Sequence, residues 1–391
     1  MPISVLSLMV CVFGITTGEF VPAGILPDIA NDLDVSISSA GLLVTAYAIG
    51  MIIGGPLVTA LTARYPRKRL LLILLVIAIV GNVVSALAPV YAVLFVARFI
   101  TATVTSTFFA NAIVIATSTA PPEKQASTVA KLILGLTLAM ILGAPLGTWV
   151  GNSFGWEATF VAIAITCAVG LLLVLRFVPS VPNDVTTSAF GELKVLRKRG
   201  VQLAILVTAV GSAGQLIAFT YFAPLMTDLT GFSTAAVPIL LLAYGVGATA
   251  GNLAGGWLSD RALMPSLIGM LAVTTAVLLG MWLASSNLVG TAILVFFIGA
   301  LGFSIVPGMQ ANVLKNAAQA PTLALAVNAS AYQIAVAFAA WLGGLVIDGG
   351  LGLRPVYLVA AAVTVAGILV TLFAWQRDRR PAAEPEVTAT T

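Results

Sequence analysis

Twelve times along this chain, apolar residues run for about twenty positions with almost no charge among them, the length a helix needs to cross the hydrocarbon core of a bilayer. The runs predict helices at about 3–27, 38–61, 70–88, 91–119, 128–151 and 157–178, then at 201–227, 235–258, 265–284, 288–314, 322–347 and 354–375. Strands of a membrane barrel would read instead as alternating segments of about ten residues. Composition agrees: 8% of residues are charged, where a soluble domain carries about 25%, and mean hydropathy is +1.10. The expected fold class is an all-α integral membrane protein with twelve transmembrane helices.

Lys and Arg collect on cytoplasmic loops, so their distribution sets the orientation. Arg64, Arg67, Lys68 and Arg69 fall after the second helix, Lys124 and Lys131 after the fourth, and Lys194, Arg197, Lys198 and Arg199 before the seventh. Arg261, Lys315, Arg377, Arg379 and Arg380 continue the pattern, while the alternate loops hold Asp28, Asp32, Asp34, Asp228 and Asp348 with Arg354 as their one basic residue. Both termini are therefore expected in the cytoplasm of a cell whose inner (plasma) membrane the chain spans. The net charge of +4 reflects this topology; the basic groups are dispersed among loops, and no nucleic-acid partner is expected. Met1–Ser4 has no basic residue and the first run carries Glu19, so helix 1 is expected to be retained rather than cleaved as a signal. Cys11 and Cys167 read as apolar filler, and with no histidine in the chain no metal site or cofactor is expected.

A shift of 197 residues lays the second half of the sequence on the first. Pro27 falls on Pro224 and Ser36 on Ser233; Ala46, Tyr47, Gly50, Gly54, Leu61 and Arg64 fall on Ala243, Tyr244, Gly247, Gly251, Leu258 and Arg261. Matched segments start on the same side of the membrane, which makes the halves parallel repeats related by an axis along the membrane normal. The expected organisation is a six-helix bundle over 1–178, a cytoplasmic linker over 179–200, a second bundle over 201–376 and a tail over 377–391.

On these residues the chain resembles the major facilitator superfamily, and within it the twelve-helix drug:proton antiporters. Thr17-Gly18-Glu19-Phe20 with Leu26-Pro27-Asp28 is similar to that group's acidic helix-1 motif. Arg64-Tyr65-Pro66-Arg67-Lys68-Arg69 resembles the superfamily's loop signature, with Ala63 and Pro66 in place of its usual Asp and Gly; the second copy restores the acid as Asp260-Arg261. Arg98 matches the helix-4 arginine motif, and Gly143-Ala144-Pro145-Leu146-Gly147 resembles the antiporter motif of helix 5, with Glu157 where relatives commonly place Arg. The likeness is greatest to bacterial chloramphenicol exporters and arabinose-efflux-like proteins. It implies alternating access by two parallel bundles, a small-molecule substrate and a proton gradient as the energy source.

Two charges lie inside apolar runs. A charge at the bilayer centre costs about 2.5–3.5 kcal/mol on insertion scales, so Glu19 and Arg98 are the leading functional candidates. Glu19 lies about 13 Å along a helix from Asp28 and Arg98 about 10 Å from Tyr91, which gives them similar depths. They could form a fixed pair joining helices 1 and 4. The functional alternative is a titrating carboxyl: burial and a neighbouring cation act on it in opposite senses, so helix movement would switch it between proton binding and release. Arg64, Asp260 and Arg261 are candidates for closing the cytoplasmic side; Arg67, Lys68 and Arg69 read as topology determinants. Gly143, Pro145 and Gly147 are expected to form a bend packed against the other half.

A cavity between the halves would draw its polar lining from Asn111, Gln215, Tyr221, Asn252, Gln310 and Asn312, together with Asn328, Tyr332 and Gln333. Phe108, Phe109 and Phe219 would give it apolar surface. Such a site suits an amphiphilic neutral compound, and the leading expectation is proton-coupled export of small amphiphilic drugs, chloramphenicol foremost, by a monomer embedded in lipid. A sugar or nucleoside efflux transporter of the same fold is the alternative. A membrane enzyme, receptor or primary pump is disfavoured: the chain has no histidine, no Gly-Lys-Ser/Thr phosphate loop and no sizeable soluble domain.

Overall fold

The computed structural model describes residues 2–62, 65–119, 121, 125–180, 197–317 and 321–378. Arg64, Lys124 and Lys194, most of the linker and the tail from Arg379 lie outside them.

The first half runs α1 Ile3–Phe20, α2 Pro22–Asp32, α3 Ile37–Thr62, α4 Arg67–Ala86 and α5 Tyr91–Ser118. It continues with α6 Gln125–Leu138, a π-helical turn Ala139–Gly143, α7 Ala144–Phe154 and α8 Trp156–Phe177. The second half has α9 Arg199–Thr220, α10 Val237–Arg261, α11 Leu263–Ala284, α12 Leu288–Asn316, α13 Pro321–Val346 and α14 Pro355–Asp378. Twelve spans result, since α1 and α2 form one membrane crossing and α6 and α7 another. The fold is all-α, with no strand among the described residues.

Three boundaries differ from those the apolar runs predict. The first helix breaks at Val21 because Pro22 has no N–H to give Gly18, and then resumes as far as Asp32. Its counterpart in the second half breaks at Tyr221, just before Pro224. The basic run Arg67–Arg69 is the first turn of α4 rather than loop, and Lys68 donates to Leu175 O, a free carbonyl at the C-terminal end of α8, at 3.0 Å.

The repeat found in the sequence is present in the packing. Gly50 of α3 meets the Phe99 carbonyl of α5, and 197 residues on, Gly247 of α10 meets the Phe296 carbonyl of α12. Gly54 faces Thr103 as Gly251 faces Ala300, again at the same offset. A side-chain carbon at any of these four glycines would overlap the facing backbone, so small residues set the helix spacing in both halves.

Each half has its own apolar core, built on Leu8, Leu71, Phe108 and Phe160 in the first and on Ile217, Leu241, Tyr244 and Tyr357 in the second. The second core extends across the gap to Ala23, Leu26, Ala30, Ala40 and Met140 of the first half. Cross-half contacts cluster at the membrane end away from the termini. Ser38 hydroxyl donates to the Asp348 carboxylate, Thr45 Oγ1 to Ala337 O at 3.3 Å, and Asn152 Nδ2 to Thr234 O at 2.9 Å. Met140 and Ile141 in the π turn lie against Gly245. Among the described residues, the deepest cross-half hydrogen bond joins Glu19 to Gln333. Among the described residues, these cross-half hydrogen bonds thus run from the far end down to the depth of Glu19.

Candidate functional site

At the innermost point of that contact lies a cavity of about 30 Å³, lined by Glu19, Phe20, Ala23, Val44 and Tyr47 from the first half and by Leu216, Phe219, Thr220, Tyr332, Gln333 and Val336 from the second. It has room for a water molecule or two and no more. Glu19 reaches it from the last turn of α1, two residues before the break at Val21. Gln333 of α13 answers from the other half, its Nε2 donating to Glu19 Oε1 at 3.0 Å. Gln333 Oε1 is buried without a partner.

Arg98 does not pair with Glu19. Its side chain is 1% exposed, and Nε and both Nη atoms lack any hydrogen-bond acceptor. Its guanidinium lies over the Tyr47 ring, 4.3 Å from the centroid, with the Phe160 ring 5.6 Å away. Tyr47 also lines the cavity, and its hydroxyl shares a 3.0 Å hydrogen bond with Thr105 Oγ1. The phenol ring therefore stands between the cavity that holds Glu19 and the cation behind it. Gly18 lies beside it: a side-chain carbon there would sit at ordinary contact distance, 3.8 Å, from Nη1. A fully buried guanidinium with three unpaired nitrogens costs several kcal/mol, which ring faces offset only in part.

The second half carries a neutral counterpart. Tyr244, 197 residues after Tyr47, donates to Gln215 Oε1 at 3.1 Å, and Gln215 packs over Gly302, the position equivalent to Thr105. Phe219 stacks on Tyr244 with centroids 4.8 Å apart and meets Phe20 edge-on at 6.0 Å, so an aromatic wall runs from the cavity into the second half.

The other predicted site residues are scattered. Tyr332 lines the cavity with Phe219. Tyr221 is fully buried at the closed end, wedged against Gly41 of the first half, with its hydroxyl donating to Ala340 O at 2.6 Å. Phe108 sits inside the first half's core, edge-on to Phe109, and Asn111 Nδ2 donates back to Thr107 O at 2.9 Å. Asn328 Oδ1 accepts from Thr208 at 2.6 Å and Asn312 from Asn316, both within the second half. Gln310 and Asn252 are exposed.

Of the bend residues, Pro145 follows the π turn that ends at Gly143, as its missing N–H requires. Gly143 and Gly147 pack on Thr17 and Val21 of their own half, not on the other; the cross-half contact belongs to Met140 and Ile141. Asp260 is exposed, and Arg261 lies over the Trp257 ring at 3.5 Å instead of meeting it. Tyr47, Phe20 and Thr220 escaped sequence reasoning as site residues; the Tyr47–Tyr244 match in the repeat was the signal that marked one of them.

A family model described as Major Facilitator Superfamily matches residues 8–322. This chain belongs to that superfamily. It is 36% identical over 376 residues to the inner membrane transport protein YdhP of Escherichia coli (strain K12), covering 96% of each chain. It is 34% identical over 381 residues to a chloramphenicol resistance protein of Streptomyces lividans, covering 94% of this chain and 95% of the relative. Among solved structures it matches a bacterial homolog of the human lysosomal transporter Spinster with a TM-score of 0.78, at 17% identity, over 97% of this chain and 98% of the other. The chain is thus a superfamily membrane transporter, with the fold of that solved structure.

Proposed function

We propose that this transporter exports a small neutral amphiphile of the chloramphenicol type in exchange for protons, from an inner membrane in which both termini face the cytoplasm, as a monomer without a cofactor. The observation that carries this reading is Glu19: a carboxyl in the membrane, at the contact between the halves, held by one amide and by no cation. Its charge is compensated or not according to whether water, proton or substrate fills the cavity. A drug-sized ligand needs about 300–1,000 Å³, so the halves must part to admit it, and substrate and proton then contend for one space. Phe219, Tyr244 and Phe20 offer ring faces to an aromatic compound, and Gln333 and Tyr332 offer polar anchors. The chloramphenicol resistance relative supports the substrate class. One proton crossing a gradient of about 150 mV supplies about 3.5 kcal/mol, enough for a several-hundred-fold drug gradient.

Expression in a sensitive host tests the substrate. Phenicol resistance should rise, vanish when the proton gradient is collapsed, and leave the drug unmodified in the medium. Unchanged phenicol sensitivity with export of pentoses or nucleosides would reassign it. Orientation is tested by single cysteines at Arg67, Arg197 and Asp32: the first two should resist an impermeant thiol reagent in intact cells and the third should react.

A further inference from the structure

We propose that Gln333 is the positioning residue that reads the charge on Glu19 and passes it to the contact between the halves; the inference rests on the antiport reading above. The pair is one hydrogen bond short of complete. Gln333 Nε2 donates to Glu19 Oε1 at 3.0 Å, while Gln333 Oε1 is buried and accepts nothing. An ionised carboxylate only accepts, so it cannot satisfy that oxygen. A carboxyl that has taken up a proton has one O–H to give. The incoming proton forms that O–H bond, the O–H donates to Gln333 Oε1, and Nε2 goes on donating to the other carboxyl oxygen. A two-bond acid–amide ring then spans α1 and α13. Loss of the proton restores the carboxylate, the single bond and the orphaned amide oxygen.

Its place in the fold gives this pair leverage. Among the described residues it is the deepest of the cross-half hydrogen bonds that join the halves from the far end inward. Few other groups can substitute for it. Tyr47 of α3 faces the cavity with its hydroxyl shared with Thr105, and Tyr332 lies beside Gln333 on α13. Arg98 of α5 is behind the Tyr47 ring, Cys167 of α8 packs on Gly14 farther down α1, and α9 offers only Leu216, Phe219 and Thr220. The protonated state therefore favours the arrangement with α1 and α13 together, closed away from the termini. Deprotonation weakens that contact and lets the cavity widen to take substrate. An antiporter needs this order: the proton-loaded carrier turns toward the drug, and proton release admits it.

The test uses nitroxide labels at Arg69→Cys and Ala262→Cys, on the termini side of each half, with Cys11 and Cys167 replaced by alanine. Double electron–electron resonance distances are taken across a pH series in lipid. The wild-type ratio of the two states should change about tenfold between acid and alkaline conditions, the worth of one hydrogen bond. Gln333→Leu and Gln333→Met should both be flat, the second guarding against a packing defect in the first. Glu19→Gln, whose amide keeps both bonds, should hold the acid-state distribution at every pH. Wild-type amplitude in both Gln333 variants overturns this inference and leaves antiport standing. A wild type whose distances and export both ignore pH overturns the antiport reading itself.

Discussion

Gly245 is where a single methyl group should tilt the whole transporter. A side-chain carbon built there would stand 2.7 Å from Met140 O and 2.8 Å from Ile141 Cα, backbone atoms of the opposite half. Carbon sits about 3.3–3.6 Å from a carbonyl oxygen, so Gly245→Ala requires the two helices to part by roughly 0.6–0.9 Å. The clash exists only while the far end is closed. Overpacking of this kind costs about 1–3 kcal/mol, which becomes a shift of about five- to 150-fold toward states with that end open. Spin labels at Asp34→Cys and Gly349→Cys, both at the far end, should report a longer and broader distance distribution in Gly245→Ala than in the parent. Export should slow because return to the state open toward the termini is disfavoured. A folded Gly245→Ala protein with the parent's distances and rate would refute the reasoning.

Other substitutions separate packing from function. Gly251→Ala overlaps the Ala300 carbonyl within one half and should prevent folding or lower the melting temperature sharply, whereas Gly269→Ala, with nothing within 4 Å, should be neutral in the same thermal assay. Arg98→Met removes a buried cation that has no hydrogen-bond acceptor, so it should be neutral or stabilising by about 1–4 kcal/mol in thermal unfolding. A large loss of stability would instead make Arg98 a structural strut.

Twelve spans, the parallel repeat and the place of Glu19 inside a span were legible because each rests on local sequence. Apolar run length needs no tertiary information, and the 197-residue offset recurs in Gly50 and Gly247 because the same close approach is built twice. The break at Val21 is also local, set by Pro22, yet a count of apolar residues passes over it. The partners of the buried charges were not legible. Glu19 and Arg98 share a depth along their helices, but depth says nothing of rotation about the helix axis, and Tyr47 occupies the space between cavity and cation. Polar residues within a span read alike whether they face a cavity or bond their own helix, as Asn111 does to Thr107. Gln333 meets Glu19 from more than three hundred residues away in sequence.

The most direct test of the central claim is export by purified Glu19→Gln protein in liposomes. The substitution keeps the shape and the bond to Gln333 while removing the titrating group. With a pH difference imposed, wild-type protein should drive chloramphenicol uphill and acidify the opposite compartment in step. Glu19→Gln, held in the proton-loaded arrangement, should do neither. Uphill accumulation by Glu19→Gln, driven by the same pH difference, would contradict the assignment of Glu19 as the proton carrier.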